Sequence, residues 1–270
     1  MPKLTAILDA DVLVYEAAVA AEKEFKWDDH LYTYVGDMDE AQRIFCESIQ
    51  RIMDELGADD YRLPLTDLDS NWRLDILSTY KGNRKGIRRP LLRRALAEWV
   101  MNTYTTKAFL RPRLEGDDVA GILLTNPVLI PGDRVLVSID KDMKTIPGEH
   151  YNPRTGKRLS ISQNEADYWL MYQTLTGDVT DGYAGCPGCG PVTAEKKLLA
   201  VRDQGLPAMW AAVVKLFAKA KLTEADALVQ ARVARILRHG DYDYKERKPI
   251  LWTPPMLPAK KRPAKKRTRT

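Results

Sequence analysis

The chain has 270 residues, 44% of them hydrophobic, so it can bury the core of one large α/β domain or of a domain with a smaller partner. No apolar run approaches the roughly 18 residues of a membrane span, and the N-terminal run is too short for a signal peptide. We therefore expect a soluble intracellular protein with no membrane partner. Three cysteines and three histidines exclude a disulfide framework and disfavour a zinc enzyme, so a metal site would use Asp and Glu oxygens.

Short apolar runs alternate with helix-like segments over the first 140 residues. The runs 4–8 and 134–139 predict buried strands that lead into aspartates, and weaker strands are expected before Asp67 and at 107–110. Such alternation is typical of a parallel α/β sheet, in which ligands bind outside the carboxyl ends of the strands. Helices are predicted at 11–23 (with Asp11 as its N-cap), 39–56, 88–105 and 116–126.

The pattern becomes mostly helical from about residue 163. A glycine-rich turn at 182–190 is followed by predicted helices near 192–203, 207–220 and 224–238. We expect a catalytic α/β domain at 1–160 and a helical subdomain at 161–254. The segment 255–270 is expected to be a disordered basic tail, because 259–270 holds seven basic residues and no acid. Without 259–270 the chain has 35 basic and 37 acidic residues, so the net charge of +5 comes from the tail.

Carboxylates recur at predicted strand ends, helix starts and tight turns. A single aspartate in such a place is usually a cap, but side chains from several of these places can converge on one pocket. Like charges gathered there cannot all stay ionised without cations. Hard divalent ions such as Mg²⁺ bind oxygen ligands, and two ions roughly 3.5–4 Å apart can clamp a phosphoryl displacement. The candidate ligands are Asp9, Glu115, Asp117, Asp118, Asp140, Asp142, Asp178 and Asp181, with Asp67 as a weaker member.

The segment 81–94 carries seven basic residues and no acid. A polyanion would be drawn to this segment and cut at the neighbouring acids. Lys81 and Arg84 are candidates for stabilising charge on a reacting phosphate, and Tyr80 for stacking on a terminal base. Charge runs are usually solvated helix faces, but this one lacks the acidic partners that such faces carry. The remaining candidates for binding the polyanion are Lys85, Arg88 and Arg89.

The glycine-rich turn opens onto a predicted helix that starts at Pro191. Backbone N–H groups at such a helix start can bind phosphate, although an ordinary connection between two helices has the same composition. Cys186 and Cys189 lie in the turn, and we interpret them as small buried hydrophobes rather than as metal or redox ligands. The glycines assigned to phosphate binding are Gly182, Gly185, Gly188 and Gly190.

Five motifs occur in the order found in the 5′→3′ exonucleases and flap endonucleases. They are ILDADVLVY, TYKGNRK, LEGDD, SIDKD and GDVTDGYAGCPGCGPVTA, and the resemblance covers roughly residues 4–200. The phrases LEGDDVAG, DKDMKTIPG and GDVTDGYAG look especially like the short exonucleases of tailed bacteriophages. Three positions depart from the family pattern: Ala10 stands where a glycine is usual, and Cys186 and Cys189 stand at usually aliphatic positions.

This resemblance implies a PIN-like parallel sheet flanked by helices, with a C-terminal helical clamp that grips duplex DNA. It implies a basic arch at about 81–113 and a clamp that in relatives also holds K⁺. Lys81 and Arg84, with Tyr80, match the family's substrate-contacting motif. One metal cluster would comprise Asp9, Asp67, Glu115, Asp117 and Asp118, and the other Asp140, Asp142, Asp178 and Asp181.

The expected activity is hydrolysis of DNA, from 5′ ends or at flaps, with two Mg²⁺ or Mn²⁺ ions. RNA–DNA hybrids are a second expected substrate, the chain is expected to be a monomer, and a phage protein would act in the host cytoplasm. Its role would be primer removal or breakdown of host DNA during phage replication. The alternatives are a PIN-type ribonuclease and a catalytically inactive DNA-binding scaffold.

Overall fold

The computed structural model describes residues 3–84 and 86–255, so the predictions for Lys85 and for nearly all of the basic tail lie outside the described residues. A six-stranded sheet forms the centre, in the order β5-β4-β1-β6-β7-β8. Its first five members run parallel and β8 runs antiparallel to β7. The strands are β1 (Leu4–Leu8), β4 (Asp60–Leu65), β5 (Ala108–Leu110), β6 (Asp133–Val137), β7 (Gly148–Asn152) and β8 (Lys157–Ile161).

The predicted α/β class with a parallel sheet is confirmed, and the β7–β8 hairpin is an addition that the sequence pattern did not predict. Strand β1 is central because its apolar run is buried on both faces. Alternate side chains of a strand point to opposite faces, so Leu8 packs with Phe45 on one side and Ile7 packs with Leu136 on the other. Helices therefore cover both faces of the sheet. They are α1 (Ala10–Ala20), α2 (Met38–Leu56), α3 (Arg93–Thr103) and α4 (Gly116–Thr125).

Helix α2 agrees closely with its predicted bounds, because its apolar side chains recur at helical spacing. Phe45, Ile49 and Ile52 are buried on one face. Helix α3 begins later than the predicted 88, since the residue before Pro90 is disfavoured in helical conformation. The predicted N-cap of α1 was wrong: Asp9 caps the helix by accepting a hydrogen bond from the Val12 N–H at 3.3 Å.

A hairpin of β2 (Glu22–Lys26) and β3 (Tyr32–Gly36) follows α1. The predicted helix overlaps it only at residues 22–23, and the rest of the hairpin was not predicted. This hairpin supports the start of the basic segment. Arg88 forms an ion pair with Glu22 at 2.6 Å, and its guanidinium lies 3.8 Å from the ring centre of Tyr34. The hairpin is therefore connected to the segment whose charges the sequence analysis assigned to polyanion binding.

The helical region has its own core. Its helices are α5 (Gln163–Thr176), α6 (Pro191–Leu199), α7 (Leu206–Lys219) and α8 (Glu224–Ala234), followed by a small hairpin of β9 (Tyr242–Asp243) and β10 (Lys248–Pro249). Met171, Val213 and Phe217 are fully buried among these helices. Helix α8 ends earlier than the predicted 238 because Arg235 is already extended, and the chain then returns to pack Leu237 beside α4. The boundary near residue 160 stays a prediction. Across the described ranges, no helix has the length and apolar character needed to cross a membrane.

Candidate active site

A pocket of about 1020 Å³ opens at the carboxyl ends of the central strands, between the sheet and the helical region. Parallel strands present their carboxyl ends at one edge, so acids that follow different strands meet there. Asp9 follows β1, Asp140 lies shortly after β6, and Asp117 lies in the first turn of α4. Eight of the nine predicted carboxylates line the pocket: Asp9, Asp67, Glu115, Asp117, Asp140, Asp142, Asp178 and Asp181.

One side of the pocket holds acids whose charges oppose one another. Burial and the neighbouring Asp11 raise the pKa of Asp9 to about 7, against the hydrogen bonds it accepts from Ser138 and Val12. Burial, Asp9 and Asp140 also hold the pKa of Asp117 well above its usual range. In residues 3–84 and 86–255, no salt bridge reaches Asp9, Asp117 or Asp140. This side therefore carries negative charge that the described residues do not balance.

Asp142 extends the unbalanced side toward the helical region. Burial and the nearby Asp140 and Asp178 raise the pKa of Asp142 to about 6. Its carboxylate accepts a hydrogen bond of 2.6 Å from the side-chain amide of Gln173 on α5. Asp178 and Asp181 belong to the turn after α5, so the second predicted cluster is assembled from the loop after β6 and the helical region together.

The opposite side of the pocket pairs its acids with the protein's own cations. The Lys81 ammonium donates to Glu115 and lies 3.6 Å from Asp181, and Arg84 donates to Asp181 at 2.6 Å. Burial raises the pKa of Glu115, but Arg73 and Lys81 outweigh it and hold that pKa at about 2. Lys81 has a left-handed backbone (φ 53°), and a Cβ on Gly182 would lie 3.4 Å from its backbone nitrogen. The two predicted phosphate-stabilising residues thus reach the pocket from a tightly turned segment.

Tyr80 does not fit the predicted role of base stacking. Its ring is 5% exposed and packs in the core of the helical region. Its hydroxyl lies 2.9 Å from both Glu115 and Asp181 and has one proton to donate. Tyr80 is therefore a wall residue that links the two acids, and its burial could not be deduced from the basic sequence around it.

Asp118 and Asp67 do not point freely into the pocket, although both were predicted as metal ligands. Asp118 is fully buried beneath the pocket, where it accepts from Arg73 at 2.7 and 2.8 Å and from the Trp72 indole at 2.9 Å. Asp67 lines the rim, and its carboxylate accepts from the backbone of Arg113 at 2.7 Å and from the Ser70 hydroxyl at 2.8 Å. Both carboxylates thus serve the protein's own hydrogen bonds, and for Asp118 this placement disagrees with a ligand role.

Asp11 is a pocket residue that the sequence analysis missed. Its carboxylate accepts a hydrogen bond from Thr66 on the loop after β4, and it lines the pocket beside Asp9. A Cβ on Gly116 would come within 2.5 Å of Asp11, so this glycine allows α4 to approach. The signal was present, since Asp11 lies two residues after Asp9, but the same position is usual for a helix cap.

The basic segment forms part of the pocket wall. Arg84, Arg88, Arg89 and Arg93 line it, whereas Lys85 lies outside the described residues. Arg88 is already held by the β2–β3 hairpin, as described above. Arg84, Arg89 and Arg93 are the other described arginines of the segment on the pocket wall, where a phosphate would meet them.

The four predicted glycines divide into two pairs. Gly182 and Gly185 have positive φ angles of 74° and 68°, and a Cβ on either would meet protein backbone. Both are explained by packing within the chain. Gly188 and Gly190 have open space where a Cβ would stand, so only they offer a backbone that an external ligand can approach. Cys186 and Cys189 are buried, and burial raises the pKa of both thiols, which agrees with the small-hydrophobe interpretation.

The donor set suits hydrated divalent cations better than a metal held wholly by protein. Among the described residues, no three His, Cys, Asp or Glu side chains are grouped closely enough to hold one ion by themselves. Mg²⁺ keeps several waters and uses only one or two carboxylates with substrate phosphate. Unbalanced acids such as Asp9 and Asp117 around an open pocket fit that requirement, because a cation would relieve the repulsion that raises their pKa values.

The fold and the pocket together define a class. A parallel α/β sheet carries unbalanced carboxylates at its strand ends and faces a wall of lysine and arginine, which is the arrangement of a nuclease that hydrolyses phosphodiester bonds.

Comparison with known proteins identifies the family. An exodeoxyribonuclease of Enterobacteria phage T3 is 31% identical over 280 residues, which cover 92% of each chain. An exonuclease of Escherichia phage T7 is 31% identical over 278 residues, covering 92% of this chain and 93% of that protein. A phage T5 flap endonuclease crystallised with DNA and metal ions has the same fold (TM-score 0.59, 16% identity, 86% of this chain and 93% of that one). No protein-family model matches the chain. The chain belongs to the family of 5′→3′ exonucleases and flap endonucleases.

Proposed function

We propose that this nuclease hydrolyses DNA from 5′ ends or at 5′ flaps with the help of two Mg²⁺ ions, which Mn²⁺ can replace. The observation that carries the proposal is the division of the pocket into an unbalanced acidic side and a cationic side. Cations on the acidic side and phosphate on the cationic side would complete the charge balance.

The first ion would lie among Asp9, Glu115 and Asp117, with Asp67 at the rim. The second would lie among Asp140, Asp142, Asp178 and Asp181, which come from the loop after β6 and the turn after α5. Each ion would bind one or two of these carboxylates directly and the others through its waters. Bound divalent ions supply an attacking water of lowered pKa and neutralise charge on the leaving oxygen. Asp118, predicted as a ligand of the first ion, is proposed instead as a supporting residue beneath that site, because its oxygens are engaged by Arg73 and Trp72.

Lys81 and Arg84 orient and stabilise the reacting phosphate in this proposal. Without substrate, both side chains donate to Glu115 or Asp181 at the pocket surface. Each retains donor groups that are free to turn toward a phosphate lying between the two sides. Positive groups aimed at the charge that develops on a reacting phosphate stabilise the transition state. Removing one such donor typically lowers kcat by about 10²–10³-fold.

Duplex DNA would extend from the pocket toward the glycine-rich turn before α6. Gly188 and Gly190 leave their backbone open there, and a K⁺ ion bridging this turn to the DNA backbone is part of the proposal. Arg89 and Lys85 would contact the strand that enters beneath the basic segment. We further propose that RNA–DNA hybrids are cleaved, that the chain acts as a monomer of two domains divided near residue 160, and that it works in the host cytoplasm on primers or host DNA.

Cleavage of end-labelled DNA tests the proposal. Blunt duplex, a 5′-flap duplex, single strand and an RNA–DNA hybrid would each be incubated with Mg²⁺ and with EDTA, using Asp140→Ala as the inactive control. We expect metal-dependent release of short products from the 5′ end of duplex or flap. Cleavage of RNA alone would favour a PIN-type ribonuclease, and DNA binding without cleavage would favour the scaffold.

A further inference from the structure

We propose that Arg73 is a positioning residue that holds the acids at the start of α4 against the end of α8 and the residue that follows it. Arg73 was not among the predicted site residues, and it lies eight residues before Lys81. The inference rests on the proposed function, because it concerns how the carboxylates of the first metal site are held in place.

The guanidinium of Arg73 uses all five of its N–H groups within the protein. Nη1 donates to Glu115 at 2.9 Å and to Asp118 at 2.7 Å, and Nη2 donates to Asp118 at 2.8 Å. The remaining two bonds reach backbone carbonyls at the end of α8: Nε donates to Val233 in its last turn at 2.9 Å, and Nη2 donates to Arg235 just after it at 2.7 Å. One side chain therefore joins two acids at the start of α4 to the end of α8.

The ion pair between Arg73 and Asp118 is buried. The Arg73 side chain is 3% exposed and that of Asp118 is 0% exposed, so neither charge is solvated by bulk water. A buried pair is stable only when geometry is good and the remaining donors and acceptors are satisfied. Here Asp118 also accepts from the Trp72 indole and from the Leu237 backbone N–H at 3.1 Å. Arg73 and Asp118 thus form a rigid buried ion pair below the pocket rather than a mobile contact.

Glu115 connects this buried ion pair to the proposed metal site, because it contacts Arg73 and is itself a proposed ligand. Arg73 holds one oxygen of its carboxylate and Lys81 holds the other. Lys81 is needed to face the phosphate, so Arg73 is the partner that keeps Glu115 oriented while Lys81 turns. A lysine at position 73 would retain the charge but would lose the planar fork that reaches four partners at once.

Mn²⁺ binding to Arg73→Lys, measured by calorimetry without DNA, tests the inference. The matched control is Arg238→Lys, because Arg238 is also buried and ties the segment after α8 to α5 through Asp167 and to the α/β region through the Thr145 carbonyl, but contacts none of the proposed ligands. Loss of a supporting residue typically weakens metal affinity by 10–100-fold. We expect Mn²⁺ affinity to fall by about tenfold in Arg73→Lys and by less than about twofold in the control, with a matching rise in the Mg²⁺ needed for cleavage.

Equal Mn²⁺ affinity in the two variants would overturn the inference. If Arg73→Lys does not fold, Trp72→Phe is a milder test of the same ion pair, because it removes the indole N–H that donates to Asp118. Trp72→Phe should then weaken Mn²⁺ binding by about threefold, which follows from losing one hydrogen bond; unchanged affinity would also overturn the inference. A wild-type chain that neither binds Mn²⁺ nor cleaves DNA would instead refute the proposed function.

Discussion

The two sides of the pocket contain the same kind of residue in opposite electrostatic states. Asp9 is buried and Asp117 is half-buried, both next to other acids, and their pKa values are raised. Glu115 is just as buried as Asp9, but Arg73 and Lys81 lower its pKa to about 2. The difference lies in which partners the fold supplies, since burial alone raises the pKa of all three.

This contrast indicates how the work is divided. The paired side is balanced before any ligand arrives, so its acids stay ionised and its cations stay in place. Without cations, repulsion among the acids of the unbalanced side lowers the free energy of unfolding. Metal binding is therefore expected to stabilise the fold as well as to activate the enzyme. Substitutions on the two sides of the pocket test this division, and substitutions of Asp60 and of the two cysteines extend the comparison to groups outside the pocket.

The largest effect is expected for Asp117→Asn on the unbalanced side. Losing this carboxylate should lower kcat by about 10³-fold or more, because metal ions contribute several kcal/mol of transition-state stabilisation. It should also raise the melting temperature in EDTA, since a repelling buried charge is removed. Single-turnover cleavage and thermal melts with and without Mg²⁺ would measure both quantities.

Glu115→Gln is the control from the paired side. It should lower the melting temperature in EDTA, because Lys81 and Arg73 would lose a charged partner. Opposite shifts in the two variants support the division of the pocket. A lower melting temperature in EDTA for Asp117→Asn as well would show that both sides are held in the same way.

Lys81→Met should lower kcat by about 10²-fold with a smaller change in KM. The substitution keeps the side-chain length but removes the charge that faces the phosphate. A loss of about 10²-fold in kcat is the magnitude expected for one electrostatic donor. Lys141→Met is the matched control, because Lys141 is 77% exposed and lies 3.9 Å from Asp178. The control should change kcat by less than about threefold. Similar losses in both variants would mean that general positive charge, rather than the position of Lys81, matters.

Asp60→Asn examines a paired carboxylate far from the chemistry. Burial raises the pKa of Asp60, but hydrogen bonds from Lys107 and Arg62 outweigh it and leave that pKa well below its usual range. A lowered folded-state pKa contributes stability that is present above the unfolded value near 3.8 and is lost as pH falls below it. We expect Asp60→Asn to cost about 1–2 kcal/mol of unfolding free energy at pH 7 and less at pH 3. Denaturant unfolding at the two pH values measures this, and an equal cost at both would contradict the pairing.

The smallest effect is expected for Cys186→Ala and Cys189→Ala. Both thiols are buried in the core of the helical region, so each change should cost about 1 kcal/mol and leave Mg²⁺-dependent cleavage unaltered. Denaturant unfolding and cleavage assays would check this. Loss of bound zinc together with loss of activity would restore the metal-ligand alternative for this pair.

Local sequence pattern was sufficient to predict the helices and strands whose buried residues recur at regular spacing. The strand before Asp9, the amphipathic helix α2 and the helix that opens with Glu115 were all predicted close to their observed positions. The β2–β3 and β7–β8 hairpins were missed, because their strands are largely exposed and show no clear alternation of apolar and polar residues.

Short-range pattern was enough to identify the candidate groups of the site: acids after parallel strands, a run of charges of one sign and a glycine-rich turn. Which of these groups meet depends on tertiary packing, which that pattern does not contain. Lys81 and Glu115 lie 34 residues apart in the chain, Tyr80 and Asp181 lie 101 apart, and Arg73 reaches the Arg235 carbonyl across 162 residues. Pairing and burial depend on how whole elements pack, and charge state depends on pairing and burial. For this reason Asp118, predicted as a ligand, lies in a buried ion pair, and Asp11, predicted as a cap, lines the pocket.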